Sequence, residues 1–454
     1  MRLKLVLAAL SATVLAASAA GCGGGDDGGG ADGKTITIAY QKFGSFIQLD
    51  KQLQDVKKEY EAAHPGYTAK LVPIEASEND YYTKLSLMNR SPKTAPDVMY
   101  EDTFLINTDI QAGFLAPIDE YLSGWPDWAQ FTDAAKAAGK AQDGKTYGVP
   151  MGTDTRALWY DKGIFQKAGL TVPWEPKNWN DILTAARAIK QKVPGVTPLN
   201  VYSGKGAGEG ATMQGFEMLL YGTKHTLYDD AQKKWIVQSP GFNDSLGFIK
   251  TIFDEKLAPA PQDALDPNWG TKVNTELFPT GKLGISLDGS WVSSTWLESG
   301  SKPWPEWNDK LGYTAMPTQN GDAPGKISMS GGWLLSVGAN SKDKKASFDF
   351  VATMLNKENT KKYDIAAGQI AERKDVAADP EYLKSNPSLK FFTDLVEVTK
   401  FRPAYPDYPN VSNGIQVAME SVMTGQQSVD EAAKTFAEST TSAVGGPDKV
   451  TNAQ

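Results

Sequence analysis

The sequence is poor in the side chains on which several kinds of protein chemistry depend. Among its 454 residues it has one cysteine, Cys22, and two histidines, His64 and His225. A single cysteine leaves no disulfide within the chain and no metal site built from several thiolates. Neither histidine lies in a motif for a catalytic triad or a zinc site, so both are interpreted as structural or surface residues. The sequence therefore predicts neither a bound metal nor a cofactor.

Long apolar runs and dense basic patches are also scarce. No segment reaches the roughly 20 apolar residues that a membrane-spanning helix needs. The formal net charge is −8, and lysine and arginine do not gather into the patches that bind the phosphates of nucleic acids. The charge distribution therefore argues against nucleic acid as a partner.

The N-terminus has the pattern of a secretory signal peptide. Arg2 and Lys4 precede an uncharged apolar stretch over residues 5–17, and small residues lead to Cys22. The tetrapeptide Ala-Ala-Gly-Cys that ends at this cysteine resembles the lipobox of bacterial lipoproteins, in which the thiol accepts a diacylglycerol. The resemblance implies that residues 1–21 are removed and that Cys22 is lipidated.

A glycine-rich segment follows the cysteine. Residues 22–34 offer almost no apolar side chains for burial, and such a composition behaves as a flexible coil. We interpret this segment as a tether. The folded part of the chain is therefore expected outside the cytoplasm, anchored by lipid to the outer face of the cytoplasmic membrane.

Strand and helix patterns alternate along the rest of the chain. Residues 35–40 alternate β-branched and small side chains, which is typical of a strand. Leu49, Leu53 and Val56 then recur at helical spacing, and a short apolar strand pattern follows a second helix at residues 97–100. This alternation predicts an α/β fold with a largely parallel sheet.

Several segments together are similar to the family 1 extracellular solute-binding proteins, the maltose-binding-protein-like group. The order and spacing of the segments carry the resemblance more than any one of them. The segments are 95–100 with 113–118 (APDVMY and GFLAPI), 143–150 with 158–162 (DGKTYGVP and LWYDK), 281–285 with 289–291 (GKLGI and GSW), 316–317 and 331–333.

The resemblance implies a two-lobe fold of the periplasmic-binding-protein type, with a hinge and a ligand cleft between the lobes. It places residues 35–152 and 318–368 in the first lobe, and residues 153–317 and 369–454 in the second. It also implies a function: the chain captures a sugar and delivers it to the permease subunits of an ABC importer, which an ATPase drives. We expect a monomer that is not an enzyme.

A sugar site needs flat aromatic rings for the C–H faces and carboxylate, amide or arginine groups for the hydroxyls. Ligands of open α/β sheets bind outside the carboxyl ends of the strands. Two predicted strands are followed there by suitable side chains, which are Lys42, Phe43 and Ser45 after the first and Glu101, Asp102 and Phe104 after the second. The alternative is a solvated loop and an acidic helix start.

Other candidates come from position relative to the family motifs. Asp154 matches a carboxylate that binds sugar in maltose-binding-like proteins, and Arg156 lies beside it. Trp291 matches the stacking tryptophan of that family, with Asp288 just before it; a core tryptophan is the alternative. Further candidates on loops are Glu209, Trp333, Glu372, Arg373, Tyr405 and Tyr408.

Two other functions remain open from the sequence alone. A surface glycoside hydrolase would need two carboxylates about 5–10 Å apart across the scissile bond, and acids are plentiful. The same fold could instead bind a peptide, a polyamine or another small solute. The aromatic residues among the cleft candidates favour a disaccharide or an oligosaccharide over a monosaccharide as the ligand.

Overall fold

The computed structural model describes residues 34–42 and 44–453. The predicted signal peptide, Cys22, nearly all of the tether and Phe43 lie outside the described residues, so these predictions are not tested by the fold. Within the described ranges, no helix has both the length and the apolar character needed to cross a membrane.

The strands are short and occur along the whole described chain. They are β1 (Lys34–Lys42), β2 (Tyr67–Glu75), β3 (Val98–Asp102), β4 (Gly148–Thr153), β5 (Arg156–Asp161), β6 (Thr197–Asn200), β7 (Tyr228–Asp229), β8 (Lys234–Gln238), β9 (Leu283–Gly289), β10 (Leu311–Thr314), β11 (Met316–Pro317), β12 (Lys326–Ser330), β13 (Gly332–Val337), β14 (Thr399–Phe401) and β15 (Val450–Asn452).

The helices lie between the strands in the first part of the chain and dominate after β13. They are α1 (Gln48–Ala63), α2 (Glu78–Asn89), α3 (Ile106–Gln111), α4 (Asp119–Leu122), α5 (Asp133–Ala138), α6 (Lys162–Ala168), α7 (Trp179–Lys192), α8 (Met218–Leu220), α9 (Pro240–Asp254), α10 (Pro261–Ala264), α11 (Trp269–Lys272), α12 (Trp307–Lys310), α13 (Lys344–Met354), α14 (Lys357–Ala367), α15 (Lys374–Ala377), α16 (Pro380–Lys384), α17 (Leu389–Asp394), α18 (Tyr408–Met423) and α19 (Val429–Ala443).

Two main sheets form the centres of the two lobes, and each mixes strand directions. The first has the order β2-β1-β3-β13-β4 and the second β10-β5-β9-β6. β1 is parallel to β2 and β3, whereas β13 runs antiparallel to β3 and β4, and β5 runs antiparallel to β9 and β10. The α/β class is confirmed. In each sheet all strands but one run in the same direction, and the exceptions are β13 and β5, which enter from the other lobe.

Separate apolar cores underlie the two sheets. In the first, the buried face of α1 contributes Leu49, Leu53, Val56 and Tyr60, which are spaced three or four residues apart and pack with the strands. The second lobe has a large core around α7, α9 and α18 and a neighbouring core around Trp159. Both lobes therefore rest on apolar packing, which is the main source of their stability.

The chain passes from one sheet to the other at points that lie side by side. β4 ends at Thr153 in the first sheet and β5 begins at Arg156 in the second. The backbone N–H of Thr153 donates to the carbonyl oxygen of Ile370 at 3.0 Å, and its hydroxyl donates to the carbonyl oxygen of Gly331 at 2.7 Å. Hydrogen bonds thus join the chain crossings to one another.

Gly215 offers a test of how tightly the second core is packed. A Cβ at this position would lie 2.0 Å from the backbone oxygen of Tyr202, whereas a Cβ at Gly247 in α9 would meet nothing within 4 Å. We expect Gly215→Ala to lower the free energy of unfolding by about 1–3 kcal/mol. The matched change Gly247→Ala should raise it by about 0.5–1 kcal/mol, because alanine favours a helix over glycine. Urea denaturation measures both, and equal effects would contradict the packing.

Candidate functional site

A cavity of about 450 Å³ lies between the two lobes. Its volume falls within the range of roughly 300–1,000 Å³ that is common for small-molecule sites. The first lobe lines it with residues from the loop after β1, the start of α2 and the end of β3. The second lobe lines it with the segments around Tyr202, Glu209, Trp269 and Trp291.

The structure brings half of the predicted site residues to this cavity, although they come from distant parts of the sequence. The predicted residues that line it are Ser45, Asp102, Asp154, Arg156, Glu209, Asp288, Trp291 and Trp333.

Asp154 and Arg156 lie at the crossing from β4 to β5 and are buried. One carboxylate oxygen of Asp154 accepts hydrogen bonds from the backbone N–H of Gly331, at 2.8 Å, and from Nη1 of Arg156. The Arg156 guanidinium lies 4.7 Å from the centre of the Trp291 ring. The carboxylate therefore fixes the arginine, and the arginine in turn covers part of the tryptophan.

Arg402 joins the two lobes through a buried network of ion pairs and hydrogen bonds. Its Nη2 lies 2.5 Å from Oδ1 of Asp102 in the first lobe, and its Nη1 lies 3.4 Å from Oε1 of Glu209 in the second. The hydroxyls of Tyr408 and Ser412 each donate to Glu209 at 2.6 Å. One guanidinium thus stands between two carboxylates that face each other across the cavity.

Asp288 is held by neutral donors. The hydroxyl of Tyr202 donates to its Oδ2 at 2.7 Å and the N–H of Gly289 to its Oδ1 at 2.8 Å. Because Asp288 is 2 % exposed, burial raises its pKa to about 6. These bonds keep the carboxyl group on the cavity wall, where it can accept from a ligand.

Aromatic rings line both sides of the cavity. The Trp333 ring stacks on that of Tyr100, with the planes nearly parallel and the centres 4.2 Å apart. On the second lobe, Nε1 of Trp269 donates to Oδ1 of Asn200 at 2.8 Å, which fixes the indole. The walls thus combine flat apolar surfaces with polar groups.

Four predicted residues lie outside the cavity in structural roles on the first lobe or near the crossings. Lys42 pairs with Asp50 at 3.4 Å and faces a neighbouring groove. Glu101 is fully buried in β3, where burial raises its pKa. The other two are Glu372, which accepts from the N–H of Gly152 at 3.2 Å, and Arg373, which is 1 % exposed and pairs with Asp127 and Asp375.

The remaining predicted residues support the second lobe. Phe104 packs 5.5 Å from Tyr408 and lies under the guanidinium of Arg402. Tyr405 stacks on Tyr228 at 4.0 Å, away from the cavity. Tyr408 is buried behind the wall, where it orients Glu209. These side chains act through packing or through other residues.

Several residues that line the cavity were not predicted from the sequence. The missed lining residues include Gln41, Gln48, Glu78, Tyr202, Trp269 and Arg402. Tyr202 follows β6, so the rule about carboxyl ends of strands would have found it if that short strand had been recognised. Arg402 has no local signal, because its partners lie far away in the sequence.

Two α/β lobes joined by adjacent crossings, with a mixed aromatic and polar cavity between them, define a two-lobed binding protein. The family model of bacterial extracellular solute-binding proteins matches residues 44–361, more than half of the chain. This chain belongs to that family.

Relatives of known description agree with this class. A probable ABC transporter-binding protein of Deinococcus radiodurans is 25% identical over 299 residues, 64% of this chain and 68% of the relative. The diacetylchitobiose binding protein DasA of Streptomyces coelicolor is 25% identical over 412 residues, 88% of each chain. The GacH receptor of Streptomyces glaucescens, solved unliganded and with acarbose, is 25% identical with a TM-score of 0.74 and covers 90% of this chain and 98% of its own. The protein is therefore a substrate-binding protein of an ABC transporter.

Asp288→Asn should change how stability depends on pH. The raised pKa of Asp288, about 6 compared with 3.8, means that ionisation costs the folded state up to about 3 kcal/mol. This cost is absent below about pH 4, grows as the pH rises and is complete above about pH 6. We expect the difference in free energy of unfolding, variant minus wild type, to increase across this interval in urea denaturation. A difference that does not vary with pH would contradict the assignment.

Proposed function

We propose that this protein binds a sugar, most suitably a disaccharide or an oligosaccharide, between its lobes and delivers it to the permease subunits of an ABC importer without cleaving it. The observation that carries the proposal is the composition of the cavity walls. Trp269, Trp291 and Trp333 provide aromatic surfaces, and Asp154 fixes Arg156 beside Trp291. Sugars require this combination of flat rings and charged hydrogen-bonding groups.

The proposed ligand-binding set is the part of the predicted set that lines the cavity, together with lining residues found in the structure. It consists of Ser45, Gln48, Asp102, Asp154, Arg156, Tyr202, Glu209, Trp269, Asp288, Trp291 and Trp333.

The division of the chain supports capture by hinge bending. We assign residues 34–152 and 332–368 to the first lobe and the rest of the described chain to the second. The return to the first lobe is moved from residue 318 to Gly332, because Ile327 and Met329 pack in the second core. Closure of two such lobes around adjacent crossings is a common hinge motion.

Direct contacts between the lobes are consistent with a closed form. Nε2 of Gln48 in α1 donates to the carbonyl oxygen of Ser294 at 3.3 Å, and Nζ of Lys51 donates to that of Ser299 at 3.1 Å. Contact between the lobes reduces the exposure of a bound solute to water, which strengthens its polar contacts.

The named ligands of relatives support the sugar proposal. DasA is named for diacetylchitobiose and the GacH receptor was solved with acarbose. Both proteins match nearly 90% of this chain or more. We take the ligand class, and not either individual ligand, to extend to this chain.

Trp291→Ala should weaken sugar binding at least tenfold, about 1.4 kcal/mol, because it removes an aromatic surface of the cavity. Titration calorimetry with maltose, trehalose, xylo-oligosaccharides and cello-oligosaccharides would identify a binding sugar and compare the variant with the wild type. Trp128→Ala is the matched control, since Trp128 is also half-buried but packs in the first lobe, outside the cavity.

The same panel of sugars distinguishes sugar binding from the alternative functions, a glycoside hydrolase and a binding protein for another solute. Chromatography after incubation should recover every sugar intact, and a cleaved product would indicate a glycoside hydrolase. Binding of polyamines or peptides, with none of any sugar, would overturn the proposed ligand class while leaving the fold unaffected.

We further propose that a lipid on Cys22 anchors the protein to the outer face of the cytoplasmic membrane. The support is the signal-peptide pattern and the position of the only cysteine of the sequence. Cys22→Ala should move the protein from the membrane fraction to the soluble or secreted fraction in cell fractionation. Retention of the variant in the membrane fraction would contradict the anchor.

A further inference from the structure

The cavity carries an excess of negative charge. Among the described residues, seven acids and three basic side chains line it, a formal excess of four negative charges. A neutral sugar would not balance this excess, and charged sites generally complement the charge of their ligands. The acids are Glu78, Asp80, Asp102, Asp154, Glu209, Asp266 and Asp288, and the bases are Arg156, Lys205 and Arg402.

The excess is concentrated where the two lobes face each other. The carboxylate of Asp154 forms an ion pair with the guanidinium of Arg156. In contrast, Asp102 and Glu209 share the single guanidinium of Arg402, and the half-buried Glu78 lines the same cavity. Two carboxylates with one positive partner, in the same cavity as a third carboxyl group that can ionise, leave room for a second positive charge.

Atoms without partners give a second, independent indication. Among the described residues, Oε1 of Gln48 and Oδ1 of Asn274 are buried and accept no hydrogen bond, although both residues line the cavity. The amide nitrogen of Gln48 donates to Ser294, which assigns the free atom as the oxygen. Nε of Arg156 is the corresponding free donor. An acceptor left unpaired costs about 1–3 kcal/mol, so two free acceptors and one free donor favour a ligand that offers more donors than acceptors.

On the basis of the proposed sugar capture, we propose that the natural ligand is an amino sugar whose protonated amino group binds beside Glu78, Asp102 and Glu209. An ammonium group has donors and no acceptor. It forms charge-assisted hydrogen bonds to carboxylates and is attracted to aromatic faces such as those of the cavity tryptophans. The rest of the ring offers the hydroxyls and C–H faces that suit the other walls.

A metal ion fits the same charge less well. Within residues 34–42 and 44–453, no three histidine, cysteine, aspartate or glutamate side chains are arranged to hold a metal. Asp102 and Glu209 instead pair with the large guanidinium of Arg402, and tryptophans line the same cavity. The organic cation is therefore the better match.

The protonation of Glu78 is consistent with this ligand. Its burial, together with the charges of Asp102 and Glu209, raises the pKa of Glu78 to about 8, against the opposing effects of Arg402 and a hydrogen bond from Tyr82. The group thus holds a proton at neutral pH. An ammonium beside it would lower this pKa, so binding of an amino sugar near pH 7 should release a proton.

Matched pairs of sugars test the proposal. Calorimetry would compare glucosamine, galactosamine and the β-linked glucosamine disaccharide with their N-acetyl derivatives, which have the same rings without the positive charge, and with spermidine. We expect at least one amine to bind at least tenfold more tightly than its N-acetyl partner, with a buffer-dependent heat that reports proton release. If no amine binds more tightly than its partner, this proposal fails while sugar capture stands. If spermidine alone binds, both fail.

A variant pair locates the effect. Glu78→Gln keeps the shape of the side chain and should reduce the ratio of amine to N-acetyl affinity at least threefold. Glu438→Gln is the control, because it makes the same chemical change at an exposed glutamate on α19, outside the cavity. An equal change in both variants would assign the preference to overall charge and overturn the site. If Glu78→Gln folds poorly, the ratio of amine to N-acetyl affinity of the wild-type protein can be measured at different salt concentrations instead.

Discussion

The compensation of buried charge is the constraint on which the cleft depends. Arg156 neutralises Asp154 at the chain crossing, and Arg402 lies between Asp102 of one lobe and Glu209 of the other. A buried carboxylate without a partner costs several kcal/mol. The acid-lined walls can therefore approach each other only because each guanidinium is held in place, Arg156 by Asp154 and Arg402 by carboxylates from both lobes.

The same interactions connect the site to the hinge. Asp154 accepts from the backbone of Gly331, the residue between β12 and β13, while its other contact, Arg156, covers Trp291. A change in the angle between the lobes would move these crossings relative to one another, and the ring and the guanidinium would move with them. In the proposed hinge motion, binding and closure would thus be linked through a few buried polar contacts.

Much of the architecture was predictable because it follows from local periodicity. The apolar spacing of Leu49, Leu53 and Val56 gave the helix that became α1, and the ordered motifs gave the family. Trp291 and Asp154, which were predicted from their position in those motifs, line the cavity. Glu372, Arg373 and Tyr408 have equally suitable side chains but are used to stabilise the fold. Residue type alone does not distinguish these uses, since burial and partners are properties of the folded chain.

What the sequence could not reveal is the balance of charge within the cleft, because that balance arises from residues separated by hundreds of positions. Asp102 and Glu209 face each other only after both lobes have formed, and Arg402 reaches them from near the C-terminus. Two negative groups on opposite lobes oppose closure, and one shared guanidinium offsets part of that repulsion. Any ligand that adds positive charge or donors between them favours the closed form more than the open one. Under the proposed capture, selectivity and closure would therefore rest on the same carboxylates.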